Sequence, residues 1–126
     1  MIIVATLVVT LAAVLHVAIF VMESVNWTRP AIWKRFGVAS QADANTTRPL
    51  AYNQGFYNLF LAIGALVGII FFGIGWREAG LALVVFTMAS MLAASVVLVT
   101  TGRGYVRAAF TQGTLPLIGL VLILLT

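Results

Sequence analysis

Apolar positions in this chain fall into long unbroken runs, with neither the alternation of a half-buried strand nor the narrow stripe of a surface helix. The first run, Ile2 to Met22, holds about 21 residues, close to the roughly 20 that a helix needs to cross a bilayer. It is too long for the core of a secretory signal and has no positive segment ahead of it, so it reads as a retained span. A second run extends from Leu50 to Phe72 behind Pro49, and a third from Leu81 to Thr100. The last stretch, Leu115 to Thr126, would reach only about 18 Å at 1.5 Å per residue, against a hydrocarbon core near 30 Å. The fourth span therefore has to begin near Tyr105, which draws Thr111, Gln112 and Gly113 into the membrane. The pattern predicts an all-α fold, a single transmembrane domain over residues 1–126 built as a four-helix bundle, with spans at about 2–22, 50–72, 81–100 and 105–126.

The longest loop, Glu23 to Arg48, carries Arg29, Lys34, Arg35 and Arg48 among Trp27 and Trp33, a mixture typical of a membrane boundary. Trp27, Trp33 and Trp76 are expected as interfacial anchors, and Tyr52, Tyr57 and Tyr105 as members of the aromatic belt. Thr28 and Pro30 offer a helix start, Trp33 and Phe36 a shared face and Gly37 a stop, which predicts a short interfacial helix in this loop. Ser40 and Asp43 fit a capping box. Gly64 and Gly68 form a small-xxx-small pair suited to close helix contact.

Composition agrees with this pattern. Residues are 63% hydrophobic and 8% charged, with a mean hydropathy of +1.14, where a soluble domain is about a quarter charged. A soluble monomer is excluded. The net charge of +4 comes from side chains scattered at segment ends, which are interface anchors and give no reason to expect a nucleic-acid partner. With 0 Cys there is no disulfide, Cys-ligated zinc or iron–sulfur cluster. Arg29, Lys34, Arg35, Arg48, Arg103 and Arg107 lie in the first and third loops and Arg77 alone in the second. The positive-inside bias then places the two basic loops in the cytoplasm and both termini outside. Asn26-Trp27-Thr28 and Asn45-Thr46-Thr47, which match a glycosylation triplet, are chance on that side.

Polar side chains at membrane depth cluster toward the basic end. His16 lies about 10 Å in, Asn53, Gln54 and Asn58 about 5 to 13 Å, and Ser95 and Gln112 about 8 to 10 Å, with Glu23 at the edge. His16 and Glu23, two turns apart, fall on nearly one face, as do Gln54 with Asn58 and Asn53 with Tyr57. Pro116 has no N–H, so it frees the carbonyl of Gln112 and favours a kink beside Gly113. Such groups are costly against lipid and are expected to face the bundle interior.

The stretch H-x-x-x-F-x-x-E-x-x-x-W from His16 to Trp27, N-Q-G-x-Y-N from Asn53 to Asn58 and Q-G-x-x-P from Gln112 to Pro116 resembles the small four-span bacterial membrane proteins grouped as domain of unknown function 1304. The resemblance covers nearly the whole chain. It implies the four-helix membrane fold and the grouping of these motifs, and it brings no activity; the expected location of the chain is the cell (inner) membrane.

The residues themselves suggest a polar pocket in the cytoplasmic half that binds a small lipophilic molecule. His16 and Glu23 are its acid–base candidates, for an isomerase or hydrolase, and Asn53, Gln54, Tyr57, Asn58 and Gln112 are its ligand-binding candidates. Against this stand a bland packing role for His16 and a solvated or Arg-paired Glu23. An oligomeric small-molecule or proton-coupled transporter is the alternative, and a structural membrane protein the third reading. Two ligands seven residues apart are too few for a metal. A lone histidine can serve as an axial ligand, so haem stays open as a cofactor while none is specified. Membrane lipid and a second copy of the chain are the expected partners beside the lipophilic ligand.

Overall fold

A computed structural model describes all 126 residues. Helix α1 spans Ile2–Phe20 and continues into a π-helical turn, Val21–Val25. The short helix α2, Pro30–Trp33, passes into a 3₁₀ turn at Lys34–Phe36. Helix α3 spans Gln41–Gly73 and α4 spans Arg77–Thr100. A 3₁₀ turn at Arg103–Tyr105 leads into α5, Val106–Leu124. Four of these, α1 with its π turn, α3, α4 and α5 with its 3₁₀ turn, are long and apolar enough to cross a membrane. Each packs on two neighbours: α1 and α4 both lie against α3 and α5, which closes an antiparallel ring.

Small residues make the ring tight. Ala5, Val9, Ala12 and Ala13 of α1 and Ala62 and Ala65 of α3 close around Met88 and Met91, the largest of the fully buried side chains, both from α4. Lipid gives apolar faces little reason to associate, so close van der Waals packing over small side chains has to supply the attraction. A Cβ added to Gly68 would stand 2.8 Å from Val84 Cγ2 and 3.0 Å from the Gly80 carbonyl. One added to Gly64 would stand 2.8 Å from Thr87 Cγ2, so the glycine pair makes the expected close contact, and makes it with α4.

Helix α3 is longer than the span it carries. It starts at Gln41, nine residues before Leu50, because Ser40 caps it: the Asp43 N–H donates to Ser40 Oγ at 3.1 Å. Pro49 lies inside the helix, where the Asn45 carbonyl loses its donor but the surroundings are exposed and water can replace it. The 33 residues make a rod of about 50 Å. Counting about 20 residues back from Gly73 puts the membrane edge near Asn53 and leaves Gln41 to Tyr52 as a helical extension beyond it.

The first loop folds onto that extension. Pro30 opens α2 and Gly37, at φ +75°, closes the turn after it, as the sequence suggests. Trp27 and Trp33 are not interfacial anchors. They are 8% and 6% exposed, with Trp27 Nε1 donating to the Ala44 carbonyl at 2.9 Å and Trp33 Nε1 to Gln41 Oε1 at 3.0 Å. Phe36 packs against Trp27 with the rings tilted, at 5.2 Å between centroids. Gln41 Nε2 donates to the Thr28 carbonyl, so the loop is pinned to the first turn of α3 at three points. Trp76 at the opposite end is exposed, as an anchor should be.

Candidate functional site

At the basic end of the bundle α1 loosens by one residue per turn. The Asn26 N–H reaches the Val21 carbonyl at 3.0 Å, a five-residue step that marks the π turn, a feature frequent at functional sites. Glu23 lies in this turn and is half-buried. Asn58, nearly fully buried on α3, donates from Nδ2 to Glu23 Oε2 at 2.9 Å and to its own Gln54 carbonyl at 3.2 Å. Neither Lys nor Arg pairs with the carboxylate.

The two helices can meet here because of Gly55. An added Cβ would collide with Ser24 Oγ and stand 3.1 Å from Glu23 Cβ. Ser24 Oγ donates to the Tyr52 carbonyl at 2.7 Å, and Phe20 packs edge-on against Phe56 at 5.1 Å. Ser24 and Gly55 were not among the sequence candidates. The glycine carries the missing signal, since it costs a helix about 1 kcal/mol relative to Ala unless something needs the space.

His16 sits two turns deeper on the interior face of α1, 0% exposed. Its Nδ1 is 2.9 Å from the Ala12 carbonyl, an atom that can only accept, so Nδ1 carries the proton and donates. Nε2 is then left with a lone pair, and it has no hydrogen-bond partner. Zero exposure also means that no water-sized space touches the ring, so a bridging water has nowhere to sit unless the helices move. Leaving such an acceptor unpaired costs about 1–3 kcal/mol.

The structure brings together some of the sequence candidates and separates others. Glu23 and Asn58 are in contact. Gly119 of α5 packs beside Val9 of α1, and two turns along this antiparallel pair brings Gln112, half-buried, level with His16. Next to it, Gly113 is buried against Ser95. Pro116, also buried inside α5, deprives the Gln112 carbonyl of its helical donor. Asn53, Gln54 and Tyr57 are exposed, Tyr57 at 57%, and are not gathered around the buried His16. The reason is position: Asn53 and Gln54 lie at the membrane edge once α3 is extended, and Tyr57 falls on the outer face of the helix.

The expected pocket is closed around His16. A groove of about 200 Å³ opens instead between α4 and α5, over Leu92, Ser95, Ala109, Phe110 and Gly113, and faces outward. No three His, Cys, Asp or Glu side chains come together as a metal site would require. What the arrangement offers chemically is one unpaired imidazole nitrogen inside the bundle and, at its mouth, one carboxylate held by Asn58 with no cationic partner.

No curated protein and no solved structure matches this chain. The family described as "Protein of unknown function (DUF1304)" matches it over residues 10–124, a stretch that takes in His16, Glu23, Asn58 and Gln112. The chain belongs to the DUF1304 family, proteins of unknown function with four apolar helices in this member.

Proposed function

We propose that the basic-end half of the bundle binds a small lipophilic molecule drawn from the bilayer, with His16 Nε2 accepting a hydrogen bond from it. The observation that carries this reading is the unpaired, fully buried Nε2. A protein that kept the ring only for packing gains nothing from an acceptor held away from both water and donors. In this reading binding parts the helices beside the Gln112 to Pro116 segment, where α5 lacks a backbone hydrogen bond. The opposite half is filled by apolar side chains such as Ala5, Val9, Ala62 and Ala65, which favours binding from one side over passage across. An imidazole with a free lone pair and a carboxylate on one helix also suit acid–base chemistry of the isomerase or hydrolase kind.

Protein extracted with its surrounding lipid in polymer discs tests the binding. Mass spectrometry is expected to find a non-bulk lipophilic molecule at near one per chain, absent from His16→Leu. The same bulk lipids in both, with nothing else retained, would overturn the reading.

The basic end is assigned to the cytoplasm of a bacterial inner membrane, with both termini outside, on the balance of six basic side chains against Arg77. Cysteines introduced singly at Ser40 and Ala79 are expected to react with an impermeant thiol reagent from opposite sides. Equal labelling of Ser40→Cys from both sides would show dual insertion and restore the transporter alternative.

A further inference from the structure

The hydrogen-bonding groups at the mouth of the bundle are unevenly matched. Both N–H bonds of Asn58 are spent, on Glu23 Oε2 and on the Gln54 carbonyl, which leaves its Oδ1 as an acceptor. The hydroxyl proton of Ser24 is spent on the Tyr52 carbonyl. The second oxygen of Glu23 is free, and no cationic side chain pairs with the carboxylate although Arg29, Lys34, Arg35, Arg48, Arg103 and Arg107 all belong to this end. Two turns deeper on the interior face, the imidazole proton of His16 is spent on Ala12 and only the Nε2 lone pair remains. Among Glu23, Ser24, Asn58 and His16 every donor is used and the unused atoms are acceptors, and only the half-buried Gln112 amide, level with His16, still offers N–H groups.

Such a site selects for a molecule that brings donors and positive charge. A carboxylate taken out of bulk water at a membrane edge is costly unless a cation meets it. A neutral alcohol offers a single O–H and no charge, and an acid or phosphate would meet only acceptors at the mouth. We infer that the ligand is a lipophilic amine, its ammonium head held by Glu23 and Asn58 at the mouth and a second N–H or O–H further along its apolar body donating to His16 Nε2. This rests on the site proposed above and narrows what fills it. The Cα atoms of His16 and Glu23 are about 10.5 Å apart along the axis, so a body of medium length covers the distance. The half-buried carboxylate can be reached without opening the bundle, while the inner part of the site requires α5 to yield.

Octylamine, octanol and octyltrimethylammonium, titrated into the full chain in zwitterionic lipid discs with empty discs as the blank, separate charge from N–H donation. Octylamine is expected to bind at least tenfold more tightly than either of the others, since only it brings both. Glu23→Gln is expected to bring octylamine down to the level of octanol and to leave octanol unchanged. Octylamine and octanol binding equally, both lost in His16→Leu, would overturn the amine and keep the lipophilic site. Octyltrimethylammonium matching octylamine would overturn the role of the N–H donors. Binding of none of the three above the blank would overturn both this inference and the reading it rests on.

Discussion

His16→Leu is expected to make the bundle more stable and to abolish retention of the ligand. The substitution removes the unpaired Nε2, worth about 1–3 kcal/mol of desolvation, and gives up the Nδ1 bond to Ala12, worth about 1 kcal/mol net. The Ala12 carbonyl is not orphaned, because the backbone N–H of residue 16 still serves it within α1. Leucine is of similar size and finds Ala12, Ala13 and the buried methionines already forming an apolar core. The balance favours leucine by on the order of 1 kcal/mol, a gain of stability paired with a loss of function, as expected where a functional group is held against its folding interest. Thermal or denaturant unfolding in detergent measures the first half and mass spectrometry of the retained molecule the second. His16→Ala serves as the contrast, since the cavity it leaves should cost about 2 kcal/mol or more. A leucine variant several kcal/mol less stable than the parent would mean that the native ring is satisfied and serves packing.

What could be read from the sequence followed from constraints that act along the chain. The start of α5 at Val106 follows from a length argument, because an apolar stretch from Leu115 is too short to cross. The Gly64 and Gly68 contact follows from helical spacing alone. The errors came where contacts between distant residues decide. The apolar run starts behind Pro49, yet the helix that carries it begins at Gln41, where the Ser40 and Asp43 pair caps it and the Trp27 and Trp33 indoles bind its first turns. Those same bonds turned two expected anchors into buried clasps, and no propensity encodes them. Of the three amides in the Asn53 to Asn58 motif only Asn58 is buried. Gln54 shares its face but lies one turn nearer the membrane edge, and Asn53 points elsewhere. The π turn that sets Glu23 against α3 has no sequence signature either; it is held by the Ser24 and Asn58 bonds, which exist only once α1 and α3 have met.

That meeting depends on Gly55, and Gly55→Ala is expected to cost about 1–3 kcal/mol of stability together with the binding activity. The added methyl would overlap Ser24 Oγ and come within 3.0 Å of the Ser24 backbone nitrogen and 3.1 Å of Glu23 Cβ. A side-chain oxygen can rotate away, but the backbone nitrogen moves only if the whole π turn backs off from α3. Backing off stretches the Ser24 bond to the Tyr52 carbonyl and the Asn58 bond to Glu23, both of which cross this seam. Gly73→Ala is the control: a Cβ there meets nothing within 4 Å, so that alanine should be neutral or stabilising by up to about 1 kcal/mol. Ser24→Ala combined with Gly55→Ala removes the worst overlap. The pair is therefore expected to be less damaging than the sum of its parts, with a coupling of about 0.5–3 kcal/mol in a double-mutant cycle on the unfolding free energy. Part of the loss should persist, because the Ser24 nitrogen and Glu23 Cβ still stand in the way. If Gly55→Ala proved as stable as Gly73→Ala and bound as the parent does, α1 and α3 would not need to meet closely here, and the placing of Glu23 against Asn58 would lose its structural basis.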